Sequence, residues 1–455
     1  MTVQSINPAT GETIKPYTLY TDQEVYDKID AVHHAWLSWK ESSFEQRSAL
    51  LNKMADVLIS RKAELAKLMA LEMGKPVTQG IAEVEKCASV CRYYADHAKE
   101  QLADMIIETE ASKSFVAFKP IGVVLAVMPW NYPFWQVFRF LAPALAAGNC
   151  GVLKHASNVP GCALAIEEIV KQAGFPDNVF KTLLIGSNSV EKVIEHKCIQ
   201  AVTLTGSNAA GSKVAQKAGE LIKKTVLELG GSDAYVVLED ADLDLTVKAC
   251  VDGRLLNSGQ SCIAAKRFIV VKPLLEKFTE KYIDLMRAKI MGDPLNVKTD
   301  VGPQARVDLR NELHKQVTDS IRAGAECRLG GKITDEKTAF YPPTVLTNVK
   351  KGMPAFDEEL FGPVAAIIEA SDEAHAISLA NDSVFGLGGA VFTRDVKRGE
   401  HIAANLMQSG SCFVNAFVKS DPRLPFGGIK QSGYGRELGL FGIREFVNIK
   451  TVYIK

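Results

Sequence analysis

At 455 residues the chain is too long for a single hydrophobic core, so two or three domains are expected. Hydrophobic residues at 47% and charged ones at 23% fit an ordinary soluble globular protein. Lys plus Arg equal Asp plus Glu at 53 each, which leaves no basic footprint to argue for nucleic acid. The polar start, Met1 to Thr10, has no basic segment followed by an apolar core, and no apolar run reaches the ~18 residues needed to cross a bilayer. The expectation is a cytoplasmic protein with no membrane partner. Nine cysteines, an odd number, read as reduced thiols rather than a disulfide framework. Cys87 and Cys91 share a helical stretch, but no second Cys/His pair completes a zinc spacing, so no metal is expected.

In chain order, Asn7 to Glu12 is a polar turn between short extended pieces. Asp22 reads as an N-cap, and helical periodicity follows over about 22–40, 45–71 and 76–102, with Gly74-Lys75-Pro76 as the break. From Ser114 to Met128 the alternation predicts a strand. After Pro133 a helix runs through Leu145 to a glycine turn and the apolar strand Val152-Leu153. Strand and helix then alternate: helix 162–173, strand 182–185, helix 190–196, strand 201–204, helix 209–221, strand 225–229. This predicts an α/β fold with a doubly wound, Rossmann-like parallel sheet that binds a nucleotide at its C-terminal edge, over Lys154, Gly186 and Gly206-Ser207. A second α/β set begins near Ser232, with strands at 234–238, 268–271, 364–368, 389–392 and 411–414. The tail 445–454 reads as a strand with no partner nearby in sequence.

Three stretches carry chemistry. Asn257-Ser258-Gly259-Gln260-Ser261-Cys262 is a turn of small residues that delivers one thiol after the helix-like run Leu243 to Leu256. A thiol attacks at neutral pH only with a lowered pKa or a nearby base, and the oxyanion it creates needs donors. Glu228, between leucines and before Gly230-Gly231, is placed for burial to raise its pKa toward the range of a general base. Asn131 offers an amide donor between Pro129 and Pro133, which fix the backbone on either side. Singly, each has a plain alternative: a buried core cysteine, a strand end, an aromatic turn. The set argues against a non-catalytic binding protein, since nothing structural requires all three. A Cys-dependent acyltransferase or hydrolase would need no nicotinamide, and the Gly206-Ser207 turn of the two-domain plan speaks against it.

Asparagine, glutamate and cysteine in this order resemble the aldehyde dehydrogenase superfamily, as do Thr205-Gly206-Ser207, Glu359-Leu360-Phe361-Gly362-Pro363 and Pro425-Phe426-Gly427-Gly428. Across the whole chain the likeness is greatest to succinate-semialdehyde dehydrogenases of the shorter bacterial type. The resemblance implies an NAD(P)-binding domain over 1–101 and 124–230 and a catalytic domain over 231–436. It also implies a small β oligomerisation element over 102–123 and 437–455, hence a homodimer or homotetramer. It implies that Cys262 attacks an aldehyde, that Asn131 and the Cys262 N–H hold the oxyanion, and that Glu228 activates the water that hydrolyses the thioester. Glu228 favours hydrolysis over transfer to coenzyme A, because members that use coenzyme A tend to lack it.

The resemblance also assigns cofactor residues: Trp130, Lys154, Gly186, Gly206, Ser207, Leu229, Glu359 and Phe361. Many members that prefer NAD carry a glutamate three residues after the lysine, where this chain has Ser157. Without that carboxylate, Lys154, Ser157 and His155 are free to accept a 2′-phosphate, so NADP is expected to be tolerated or preferred, with NAD left open. At the substrate end, the resemblance places Arg139 and Ser420 on the distal carboxylate of a semialdehyde, with Phe426 beside it. The plain alternative for Arg139 is a helix-surface arginine paired with an acid. A second arginine found in longer members is replaced here by Leu256, with Arg254 two residues earlier. Glutarate semialdehyde and uncharged aliphatic aldehydes stay open as substrates.

Overall fold

Residues 2–455 are described by the computed structural model. The first helix, Asp22–Trp39, is capped not by Asp22 but by Thr21. Thr21 and Glu24 form a reciprocal capping box that satisfies two otherwise free N–H groups. The next helix, Phe44–Met73, is opened in the same way by Ser43 and Gln46 and ends on Gly74 at φ 76°, a left-handed position that glycine adopts without strain. Helix Val77–Gln101 follows and packs along it.

The segment expected to be one strand from Ser114 to Met128 is two, Lys113–Pro120 and Val123–Met128, and they belong to different sheets. Gly122, at φ 134°, turns the chain between them. The N–H groups of Ile121 and Gly122, which have no ladder there, are taken by the Asn149 side chain at 2.8 and 3.1 Å.

Val123–Met128 is the central strand of the first large sheet. Cys150–His155 and then Phe180–Thr182 lie on one side of it, Ile199–Thr205 and then Lys224–Glu228 on the other, all parallel. The chain builds one side and then crosses back to build the other, so the strand order reverses between Val123–Met128 and Ile199–Thr205. A crevice opens there at the C-terminal ends, as in other doubly wound sheets. The middles of these strands are mostly apolar and buried, as expected of a parallel sheet covered on both faces, with polar residues such as Thr205 and Glu228 toward the C-terminal ends. Gly433–Tyr434 from the far end of the chain adds an antiparallel edge beside Glu228.

The second large sheet runs, in spatial order, Glu326–Leu329, Thr344–Thr347, Val364–Ala370, Ala265–Val271, Asp233–Val237, Gly388–Phe392 and Ser411–Val414. It is parallel except for its first strand. Five of these strands match the expected ones; Glu326–Leu329 and Thr344–Thr347 are additional. The tail strand Val447–Ile454 does have a partner. It pairs along its length with Lys113–Pro120, which also takes Met105–Ile106. This small sheet exposes Ile106, Ile449, Tyr453 and Ile454. No helix among the described residues is long and apolar enough to cross a membrane.

Candidate active site

Cys262 stands at the end of an unusual turn. Helix Leu243–Leu255 gives way to Asn257 and Ser258, both at φ 55°, and Gly259 at φ 79°. Two non-glycine residues in the left-handed region cost about 1 kcal/mol or more each and persist only where the surroundings hold them. Here the Asn257 Nδ2 donates to the Asn131 carbonyl at 2.7 Å and its N–H to Gln79 Oε1 at 2.6 Å. Ser258 Oγ accepts from the Gly302 N–H at 2.9 Å, and Gln260 Oε1 from the Ala305 N–H at 2.8 Å. A Cβ on Gly259 would lie 2.2 Å from the Gly362 carbonyl oxygen, so glycine is required sterically as well as conformationally. Beneath the turn, the buried Lys266 donates to the carbonyls of Ser261 at 2.8 Å and Cys262 at 2.6 Å.

Two cavities meet at this thiol. The first, about 380 Å³, fills the crevice of the first sheet and is lined by Trp130, Asn131, Gly206, Ser207, Leu229, Glu359 and Phe361 among others. The second, about 280 Å³, lies on the far side, with Arg139, Ser420 and Phe426 in its wall. Among the described residues, only Cys262 and Gln136 border both. A larger surface cleft of about 850 Å³ shares no lining residue with either.

Asn131 donates one Nδ2 hydrogen to the Gln260 carbonyl at 3.0 Å, and its Oδ1 accepts from Gln136 Nε2 at 3.1 Å. These bonds orient the amide and leave its second hydrogen for the cavity. Glu228 is buried with a raised pKa, as its place between leucines leads one to expect. It is 1% exposed and lines neither cavity, with its Oε1 so close to Gly427 that a Cβ there would come within 2.7 Å. Burial raises its pKa well above the usual carboxylate range; Arg139 opposes the rise and Glu437 adds to it. Burial also pushes the Cys262 thiol up to about 12, against the pull of Arg139 and Lys266.

On the cofactor side, Ser207 caps helix Asn208–Glu220, accepting from the Ala210 N–H at 3.3 Å, which sets free N–H groups and the positive helix end at the crevice. Glu359 is anchored rather than solvated: its Oε1 accepts from the Gly231 N–H at 3.0 Å and pairs with Lys266 at 3.2 Å. Trp130 and Phe361 meet edge to face, with centroids 5.7 Å apart. Lys154 closes strand Cys150–His155, half-buried, with its pKa lowered by burial alone. Ser157 is exposed, and Gly186 begins the turn after Phe180–Thr182. These three lie outside the cavity wall. His155 is not available to a phosphate. Its Nε2 is bonded to the Pro133 carbonyl at 2.9 Å, its Nδ1 accepts from the Ala156 N–H at 2.9 Å, and burial lowers its pKa to about 4, so it stays neutral. The crevice at the strand reversal, the helix end and the uncommitted Lys154 ammonium together fit a dinucleotide.

At the substrate end the structure pairs Arg139 with an acid, as in the plain alternative, but in the interior rather than on a helix surface. Arg139 is buried and ion-paired with Glu437, donates to Thr205 Oγ1 at 3.3 Å, and lies 4.5 Å over the Phe426 ring. Phe426 and Glu437 are joined by two main-chain hydrogen bonds, so ring and carboxylate hold the guanidinium together. Ser420 Oγ is engaged by Lys86 Nζ at 2.7 Å. Sequence reading missed Lys86, Gln136, Lys266 and Glu437. Lys266 alone left a trace, as the first of two cations in the otherwise apolar strand Ala265–Val271.

Three comparisons bear on this arrangement. The Aldehyde dehydrogenase family profile matches residues 1–452. A protein of Synechocystis sp. named probable succinate-semialdehyde dehydrogenase (NADP+) is 52% identical over 454 residues, covering both chains fully. Succinate-semialdehyde dehydrogenase (NADP+) 1 of Mycobacterium tuberculosis is 48% identical over 457 residues, again with full coverage of both. Among solved structures, succinic semialdehyde dehydrogenase from Streptococcus pyogenes in complex with NADP+ superposes with a TM-score of 0.97 at 38% identity, covering 99% of each chain.

Proposed function

The chain belongs to the aldehyde dehydrogenase family, and on that premise we propose that it oxidises succinate semialdehyde to succinate with NADP+, through a thioester on Cys262. The observation that carries the reading is the meeting of two cavities at one thiol. A dinucleotide in the first and an aldehyde in the second approach each other only across Cys262 and Gln136.

Cys262 passes its thiol proton by way of water to the solvent and its sulfur bonds to the aldehyde carbon, while the second Asn131 Nδ2 hydrogen and the Cys262 N–H hold the resulting oxyanion. The nicotinamide, when bound, supplies the acceptor for the hydride. Glu359, fixed by Gly231 and Lys266, is placed to orient the adjoining ribose, and Trp130 and Phe361 wall the ring. Glu228 then takes a proton from the water that attacks the thioester and returns it to the departing Cys262 sulfur as the C–S bond breaks. Its place behind Gly427 requires a turn of the side chain toward Cys262, and a raised pKa suits a group that must accept a proton near neutral pH. Succinate leaves and the thiol is restored.

Support for NADP comes from the names of full-length relatives and from Ser157, which puts no negative charge near the expected 2′-phosphate, and from Lys154, which offers a positive one. Support for a four-carbon ω-carboxy aldehyde comes from the same names and from the cations around the second cavity. We assign residues 102–123 and 437–455 to an oligomerisation element, because their sheet leaves Ile106 at 64% and Ile449 at 63% exposure, an edge that a second subunit would cover. A cytoplasmic site of action accords with a chain whose free thiols include the nucleophile. The decisive experiment runs succinate semialdehyde, glutarate semialdehyde and butanal, each with NADP+ and NAD+. The expected result is the highest kcat/KM for succinate semialdehyde with NADP+. Equal rates on butanal would reduce the reading to an unspecialised aldehyde oxidation.

A further inference from the structure

The second cavity needs a cation that is not already neutralised if it is to choose an aldehyde with an ionised far end. Arg139 is in the wall, but Glu437 holds its charge. Lys75 is paired with Glu83 in the same way. Lys419, also in the wall, is exposed to solvent, whereas Lys86, one turn along helix Val77–Gln101 from Glu83, is shielded and, among the described residues, free of an ion pair. Its two acidic neighbours are committed elsewhere. Glu83 is occupied by Lys75 and by the N–H groups of Phe134 and Trp135 at 2.9 Å each, and Asp421 is bound by Arg423 at 2.7 Å. The Lys86 ammonium spends one hydrogen on Ser420 Oγ at 2.7 Å and rests 4.2 Å over the Trp135 ring. That leaves further donors on a group that borders the same cavity as the Cys262 thiol.

We propose that Lys86, steered by Ser420 and Trp135, takes the distal carboxylate of the substrate and thereby selects a semialdehyde over an uncharged aldehyde. This rests on the reading that the chain oxidises an ω-carboxy aldehyde, and gives that selectivity a residue. The geometry explains each part. Ser420 Oγ, as acceptor, points the ammonium and keeps a hydroxyl hydrogen to donate to the same carboxylate. Trp135 supplies a face that favours a cation over a neutral head. Burial, helped by the charge of Arg139, lowers the Lys86 pKa to about 8, so the group is still mostly charged at neutral pH and an incoming anion strengthens that charge.

The test measures kcat/KM for succinate semialdehyde and butanal, with NADP+, in the wild type and in Lys86→Met, Lys86→Arg and Ser420→Ala. Losing a charge-assisted contact in a shielded cavity should lower kcat/KM of Lys86→Met for succinate semialdehyde by roughly 10- to 150-fold, mainly through KM. Butanal should change by less than about threefold, since it offers the ammonium nothing. Lys86→Arg should recover part of the loss, and Ser420→Ala should show a smaller loss of the same selective kind. A wild type that prefers succinate semialdehyde and a Lys86→Met enzyme that keeps that preference would overturn the role of Lys86 alone. A wild type with no preference would overturn the substrate reading, and this inference with it. Should Lys86→Met not fold, Ser420→Ala decides: equal effects on both aldehydes count against the proposal.

Discussion

The two cavities at Cys262 are built on different principles. The cofactor side is made from strand ends: Trp130 and Asn131 follow Val123–Met128, Gly206 and Ser207 follow Ile199–Thr205, and Leu229 follows Lys224–Glu228. Among its polar groups are main-chain amides at the strand ends and an anchored carboxylate, Glu359, held by the Gly231 N–H and Lys266. The substrate side is assembled from segments far apart in the chain: helix Val77–Gln101, helix Trp135–Ala146 and the loop of Lys419 to Phe426. Its character is set by which charges have cancelled. Arg139 and Lys86 both border it, yet one is held by a buried carboxylate and the other by a hydroxyl. A cation in a wall is thus not the same as a cation available to a ligand, and the difference lies in the partner.

Three measurements would break or sharpen this contrast. The largest effect is expected where the cavities meet. Glu228→Gln removes the group assigned to water activation but not the thiol, so steady-state turnover should fall by roughly 100- to 10,000-fold while a burst of reduced cofactor survives. Stopped-flow absorbance of NADPH reads both quantities, and a burst slowed as much as turnover would place Glu228 in the acylation half instead. Next in size is Arg139→Met. It leaves Glu437 buried without its partner, beside Glu228, at a cost of about 3–5 kcal/mol. A lowered Tm and losses on succinate semialdehyde and butanal that agree within tenfold are expected. A loss confined to the semialdehyde, with unchanged Tm, would make Arg139 rather than Lys86 the selective cation. Smallest is Ser157→Glu on the cofactor side. A carboxylate a few ångströms from a 2′-phosphate in a partly shielded site repels it by on the order of 1–4 kcal/mol, so kcat/KM with NADP+ should drop about tenfold or more. The ratio to NAD+ is the readout, and equal responses of the two cofactors would remove Ser157 as the discriminating position.

Much of the site was legible because its parts sit at the punctuation of the fold. Gly206-Ser207 after an apolar run, Glu228 before two glycines and Cys262 after a small-residue turn are local patterns, and the strand and helix periods that place them are local as well. The strand break at Pro120 to Gly122 was harder to see. It depends on Asn149, which takes the two freed N–H groups from 28 and 27 residues away.

Taken alone, the sequence determined the α/β alternation, the parallel sheet with its ligand edge, the family resemblance and the order of Asn131, Glu228 and Cys262, since each rests on spacing within one or two elements. Only the tertiary structure decided that His155 is a neutral, fully bonded side chain, that Glu228 lies behind Gly427, that Arg139 belongs to Glu437 and that Lys86 faces the substrate cavity. The reason is electrostatic. The state of a buried charge is set by its desolvation and by the partner within a few ångströms. For Arg139 that partner is 298 positions away and for Lys86 it is 334, separations at which the linear chain carries no trace of contact.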